Sequence, residues 1–376
     1  MPRRLIFAIG TRAQLIKVAP VVLACEQQGL SVTLLMTGQH QETMQDLIDE
    51  FGICSPQVQA LQGAEHSTIL SLLRWLPTAY RGVKRKLSQL AQGGAARAYV
   101  LVHGDTLSTL VAAYAARRSG AAVVHLESGL SSGRLLDPFP EEMVRRLVFR
   151  VTDIAMCPNA EAAEFMRRRG HRHVLDTRGN SILDAVRLTG ASALVSEDGN
   201  DYVLVSLHRF QNLFDPKRLR QLVELVENLA HRRSVKFVLH PATRGRLAAE
   251  GYLDRLAAAG QINLLPRMGY RDFIRLAAGA ACVLTDGGSN QEELAALGIP
   301  TIVMRARTER PDGLGANAVM EQDVPDGVLR YVLDNRVGEL RRSSMALSEK
   351  GPSYVIAQYF AGECVAHVET SVGNVL

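Results

Sequence analysis

The stretch Val283–Pro300, VLTDGGSNQEELAALGIP, continues directly into PTIVMR (300–305). A short apolar run ends at Asp286, a polar glycine turn follows, and Glu292–Glu293 open what reads as a helix that ends at a second apolar run. A strand, a turn, a helix and a strand form the repeating unit of a parallel sheet. Glycines in such a turn let backbone amides approach a ligand, and a helix start carries roughly half a positive charge, so the turn suits a pyrophosphate. A carboxylate in the first helical turn can accept hydrogen bonds from two ribose hydroxyls. The plain alternative is a tight turn whose acids serve the helix dipole.

The same unit recurs outward in both directions. Apolar runs occupy 4–10, 32–38, 98–104, 122–129, 153–159, 201–208, 235–241 and 262–266, with amphipathic segments such as 215–232 and 270–279 between them. Their continuous apolarity predicts strands buried on both faces. The fold class expected is α/β, with two Rossmann-like doubly wound parallel-sheet domains facing a cleft. At 376 residues the chain exceeds one ordinary core. The domains expected are 1–190 and 200–350, joined through a polar linker at 192–201. A C-terminal stretch, 352–376, is expected to pack back on the first domain.

Composition narrows the function. The chain is 47% hydrophobic and 22% charged, with a net charge of +5 from dispersed arginines. That argues against a nucleic-acid partner and suits an anionic small molecule. The five cysteines are scattered, without a C-x-x-C pair, as reduced thiols of a cytoplasmic protein would be. No run approaches the roughly 20 apolar residues of a membrane span. The dinucleotide fingerprint, the P-loop and metal-ligand spacings are absent, so no cofactor and no metal are expected.

In doubly wound sheets, ligands gather outside the carboxyl ends of the strands. Read there, the sequence offers Arg12, with Lys17 one turn into a helix, for phosphate. It offers Asp105, Glu127 and Glu141 as carboxylates able to raise one another's pKa for acid–base work, and His208 and His240 as imidazoles. Each has a structural alternative: Asp105 beside Thr106 can cap a helix, and Pro140-Glu141-Glu142 can start one.

Taken together, GTRAQLIKVAP, TGQH, HGDTLSTL, HLESGL, PFPEEMVRR, GNSILDA, LHRFQNL, HPATRGRL, TDGGSNQEELAALGIP and MRARTERPDG resemble, in order, the motifs of the non-hydrolysing UDP-N-acetylglucosamine 2-epimerases. The resemblance spans roughly residues 4–315 and implies a glycosyltransferase-B-like fold and inversion of C2 of a UDP-N-acetylhexosamine. UDP would leave across C1–C2 to give a 2-acetamidoglucal and then add back, for synthesis of a surface-polysaccharide precursor. It implies that Asp105, Glu127, Glu141 and His208 are catalytic. It puts Arg12, Lys17, Arg145, Arg209, Gly288, Ser289, Asn290, Glu293 and Arg310 on the UDP-sugar. Gln39, His40 and His240, with Arg209, fall in motifs tied to a regulatory site. A homodimer without cofactor is implied as well. A hydrolysing epimerase, a glycosyltransferase, an epimerase of a modified UDP-diacetamido sugar and a non-catalytic sugar-nucleotide sensor are the alternatives.

The chain departs from the family pattern at identifiable places. The family's D-S-G-G-x-Q-E-E reads Asp286-Gly287-Gly288-Ser289-Asn290-Gln291-Glu292-Glu293, and H-R-R-E-N reads His208-Arg209-Phe210-Gln211-Asn212. Ser131 stands for Arg in G-L-R-[ST], Val144 for Asn in P-E-E-x-N-R, and Ala13-Gln14 for Pro-Glu after G-T-R.

Overall fold

The computed structural model describes residues 3–38, 44–61, 69–91, 98–131, 133, 140–195, 201–308 and 311–362. Every strand pairing among them is parallel. The first sheet contains β1 (Arg4–Ile9), β2 (Ser31–Met36), β3 (Gln57–Gln59), β4 (Ala98–His103), β5 (Ala122–Leu126), β6 (Ile154–Cys157) and β7 (His173–Asp176), in the order β3-β2-β1-β4-β5-β6-β7. The second contains β8 (Tyr202–Ser206), β9 (Ser234–Leu239), β10 (Ile262–Pro266), β11 (Cys282–Thr285), β12 (Thr301–Val303) and β13 (Ala318–Met320), in the order β10-β9-β8-β11-β12-β13.

The apolar runs become these strands because helices cover both faces. β1, β5 and β8 are buried along nearly their whole length. In the first sheet Ile6, Val100, Val102 and Val123 pack with Val83 and Leu87 of helix Ile69–Ala91 and with Ala112, Ala116 and Val144. In the second, Val203, Val205, Phe237 and Leu284 pack with Leu222, Val223 and Val226 of helix Pro216–Ala230. Each fully buried aliphatic chain contributes about 1.5–3 kcal/mol. The short strands β3, β7 and β13 escape the hydrophobic-run criterion, since QVQ and HVLD carry polar residues and AVM is only three residues long.

The chain separates into two compact units, the described residues of Met1–Ala185 with Ser348–Leu376, and Val186–Leu347. The second unit thus begins inside helix Ile182–Thr189, and the expected linker opens with a 3-10 turn, Ala191–Leu194. Helix Pro352–Ala361 belongs to the first unit. Arg3 Nη1 donates to the carbonyls of Tyr359 and Phe360 at 2.7 and 2.6 Å, and the rings of Tyr99 and Phe360 meet edge-on at 5.4 Å.

In each sheet the strand order reverses once, between β1 and β4 and between β8 and β11. Neighbouring strands there send their following helices to opposite faces, which opens a crevice at the carboxyl edge. The loops leaving those strands carry GTR, HGD, His208-Arg209 and the Gly-Gly-Ser-Asn turn.

One expectation needs correction. The helix after β11 starts at Gly288, not at the glutamates, and has no acidic residue in its first turn. Gly, Ser and Asn are weak helix formers, but tertiary packing overrides propensity here. A Cβ on Gly287, the residue before the helix, would collide with the Asn290 carboxamide and come within 3.2 Å of His208 Cε1. Glu292 and Glu293 therefore lie a turn further in, buried at 7% and 2% exposure.

Candidate active site

In the first unit, the loops after β1 and β4 are joined by Gln14. Thr11 caps helix Arg12–Gln27 with a capping box in which Gln14 is the third helical residue. The Gln14 side-chain oxygen accepts from the amides of Gly10 and Thr11 at 2.9 and 3.2 Å. Its nitrogen donates to His103 O, Thr106 Oγ1 and Thr109 Oγ1 at 2.8, 2.9 and 2.8 Å. Thr109 already gives its proton to His103 O at 2.6 Å. A glutamate at this position could not donate, so the glutamine fits where the family has an acid.

Glu127 follows β5 with φ +59°, a left-handed conformation that costs a non-glycine residue about 1 kcal/mol and collects at functional positions. Its carboxylate is held on one oxygen by Lys17 Nζ at 2.8 Å and by Asn180 Nδ2 at 2.5 Å. The other oxygen lies 3.8 Å from His103 Nδ1. The side chains of Lys17 and Glu127 are only 4% and 9% exposed, so this is a buried ion pair. His103, Glu127, Thr177, Asn180 and Ile356 line a small pocket beside it.

Arg145 links the other acids. Its guanidinium donates to Asp105 and, at 3.1 Å, to Glu142 Oε2. Glu142 is fully buried and also accepts from Arg146 Nε at 2.8 Å and Ser131 Oγ at 2.5 Å. Glu141 begins helix Glu141–Phe149, and its Oε2 is buried without a hydrogen-bond partner among the described residues. Asp105 and Glu127 thus each face a cation of their own, Arg145 and Lys17.

Two departures from the family pattern find their reason here. Ser131 serves Glu142, and Val144 is fully buried in the apolar cluster under the sheet. Arg12, expected on phosphate, makes a bidentate pair with Asp46 at 2.7 and 2.9 Å. Gln39, His40 and Arg310 lie outside the described residues.

Behind Glu127 sits His125, fully buried. Its Nε2 must carry the proton, because it faces the carbonyl of Gly104 at 2.8 Å, while Nδ1 faces Ser128 Oγ at 3.1 Å. Burial pushes its pKa down to about 4, with a smaller push from Arg145, against the opposing pull of the Gly104 carbonyl and Glu127.

In the second unit, Asp286 directly follows β11 and is 0% exposed. It accepts from the amides of His208 (3.0 and 3.1 Å) and Arg209 (3.0 Å) and from Asn212 Nδ2 (2.8 Å). The His208 ring packs on that of His240 at 4.6 Å between centroids, which sets His240 against His208. His208 has a lowered pKa, chiefly through burial, with Arg209 and Arg305 adding to it and Asp286 opposing. At the helix start, Thr285 Oγ1 accepts from Gly287 N at 3.1 Å and donates to Asn290 Oδ1 at 3.2 Å. Asn290 Nδ2 then donates to Glu293 Oε2 at 2.9 Å. Gly288 and Ser289 occupy the first two helical positions, where amides have no partner within the helix.

Glu142, Asn180, Asn212 and Asp286 are not among the site residues expected from the sequence. For Glu142 a signal existed, the E-E-x-x-R-R spacing that sets a carboxylate three and four residues before two arginines. For Asp286 it was a charge closing an apolar strand. Among the described residues, no cluster of His, Cys, Asp and Glu could hold a metal ion, and no helix is long and apolar enough to cross a membrane.

Two all-parallel Rossmann-like units, with acids, imidazoles and a glycine turn at their carboxyl edges, define the class: an α/β enzyme of glycosyltransferase-B-like architecture. A family model described as UDP-N-acetylglucosamine 2-epimerase matches residues 23–328. The chain is 32% identical over 319 residues to UDP-2,3-diacetamido-2,3-dideoxy-D-glucuronate 2-epimerase of Pseudomonas aeruginosa, covering 81% of this chain and 84% of that one. It is 28% identical over 326 residues to UDP-N-acetylglucosamine 2-epimerase of Bacillus subtilis, covering 82% and 80%. The crystal structure of Methanocaldococcus jannaschii UDP-GlcNAc 2-epimerase in complex with UDP-GlcNAc and UDP shares the fold, with a TM-score of 0.74 at 24% identity over 96% and 100% of the two chains. The chain belongs to the UDP-N-acetylglucosamine 2-epimerase family, a family of isomerases.

Proposed function

We propose that the protein inverts C2 of a UDP-N-acetylhexosamine, UDP-GlcNAc being the reference substrate, without releasing UDP to solvent. C2 carries no proton acidified by a carbonyl. Breaking C2–H and C1–O together forms a C1=C2 double bond and frees UDP. Re-forming C1–O with a proton delivered to the opposite face of C2 gives the epimer. Atoms balance without a redox cofactor. The reaction needs a base, an acid on the other face, and donors that stabilise the departing diphosphate.

The observation that carries this reading is Glu127: a buried carboxylate at a strand end, in left-handed backbone, fixed by Lys17 and Asn180. We assign the acid and base to Asp105, Glu127 and Glu141 and the support of the diphosphate to His208 and the amides of Gly288 and Ser289. Arg12, Lys17, Arg145, Arg209, Asn290, Glu293 and Arg310 complete the UDP-sugar contacts in the proposal, and Gln39, His40 and His240 remain the candidates for regulation. The same reading makes the protein a cytoplasmic homodimer supplying a surface-polysaccharide precursor, and light scattering tests the dimer.

A second reading, a UDP-2,3-diacetamido uronate as substrate, is favoured by the Pseudomonas relative at 32% identity. NMR of products from a panel of UDP-sugars separates the two. C2 epimers of one sugar with no free UDP support the proposal. Accumulating UDP points to hydrolysis, and binding without turnover to a sensor; either outcome overturns it.

A further inference from the structure

We infer that Asp286 is a positioning residue for His208, fixing both the place of the imidazole and which of its nitrogens faces outward. The inference rests on the proposed role of His208, but its geometry stands alone. β8 and β11 are adjacent and parallel, with Ser206 opposite Thr285, so Asp286 and His208 leave the sheet side by side. Asp286 has no solvent contact, and its two oxygens take four hydrogen-bond contacts from N–H groups. Three come from the main chain of His208 and Arg209, which anchors the backbone beneath the ring.

The same carboxylate faces the ring itself. His208 Nδ1 is buried, has no hydrogen-bond partner among the described residues, and lies 3.4 Å from Asp286 Oδ1, an ion-pair distance. A carboxylate beside Nδ1 favours the proton there, which leaves Nε2 as the nitrogen open to a ligand. The other groups about the ring are Arg209 and Arg305, both cationic, and the His240 imidazole. Asp286 alone among them favours the protonated ring.

Asn212 holds the carboxylate in turn. Its Nδ2 bridges Asp286 Oδ2 and, at 2.9 Å, the carbonyl of Met304, while its Oδ1 accepts from Arg218 Nε at 3.0 Å. Arg218 is paired with Glu321. The ends of β8, β11 and β12 are thereby tied around one buried acid.

The first test needs no variant and no substrate. A long-range proton–nitrogen NMR spectrum of the full-length protein at pH 8 should place the His208 proton on Nδ1, assigned by its loss in His208→Gln. A proton on Nε2 overturns the inference. In Asp286→Asn, the His208 titration should move to lower pH by about half a unit or more, since a facing negative charge is removed. With UDP-GlcNAc, kcat should fall roughly 10- to 100-fold, with KM changed less than about threefold, as when a supporting group is lost from a catalytic ligand. An unchanged titration and pH profile, with only a lower melting temperature, would reduce Asp286 to a structural role. Because the titrations require no turnover, failure of the epimerase reading leaves them decisive.

Discussion

The two sheets face the same electrostatic problem and solve it differently. Each brings a carboxylate to the carboxyl end of a buried strand: Glu127 after β5 and Asp286 after β11. The first unit answers with cations, Lys17 on Glu127 and Arg145 between Asp105 and Glu142. The second answers with N–H donors from the main chain and Asn212, and the imidazole of His208 stands at ion-pair distance. A cation-paired acid keeps its charge close to a second charge that must also stay buried. An amide-held acid sits in neutral dipoles and can influence a neighbouring imidazole instead. Under the proposed function, the first arrangement would serve proton transfer and the second the support of the diphosphate.

The largest expected effect breaks the charge pair. Lys17→Met leaves Glu127 buried without its cation and should cost about 3–5 kcal/mol in urea unfolding. Adding Glu127→Gln should restore most of that stability. Equal losses in the single and double variants would contradict the pairing.

Next comes acid. His125 has an ordinary pKa near 6.5 when unfolded and about 4 when folded. Above pH 6.5 it is neutral in both states and contributes no pH dependence. As pH falls from 6.5 towards 4 the unfolded chain takes the proton first, so stability drops by up to roughly 3 kcal/mol, and below 4 the effect levels off. Urea midpoints across that window should show the slope, and His125→Asn should flatten it.

Gln14→Glu removes the side-chain donor that joins the loops after β1 and β4 and sets a carboxylate against His103 O; about 1–3 kcal/mol should be lost by the same assay. Smallest is Arg336→Ala, whose partner Asp326 is 61% exposed; the change should stay within about 0.5 kcal/mol and vanish in high salt.

How far the sequence reaches follows from the same comparison. Strands buried on both faces announce themselves as Val/Leu/Ile runs, and their ends point to Asp105, Glu127 and His208. Pairing is another matter. Lys17 and Glu127 are 110 positions apart and Asn180 is 53 from Glu127, and nothing local links them. The left-handed φ of Glu127 and the helical state of Gly288-Ser289-Asn290 are set by tertiary packing against local preference. A charge closing an apolar run marks Asp286 but reads equally as the start of a loop, and its donors His208 and Asn212 lie 78 and 74 positions away. The departures from the family motifs became intelligible only with their neighbours: Gln14 among threonine hydroxyls, Ser131 on Glu142, Val144 in the core.

The most direct test of the central claim is proton exchange at C2. The wild-type protein, incubated with its UDP-acetamido sugar in heavy water, should place deuterium at C2 of both epimers while UDP stays bound in sugar. Glu127→Gln should bind UDP and exchange nothing. Wild-type protein that leaves C2 fully protonated on every UDP-sugar tested, or a Glu127→Gln variant that exchanges at the normal rate, would contradict the account.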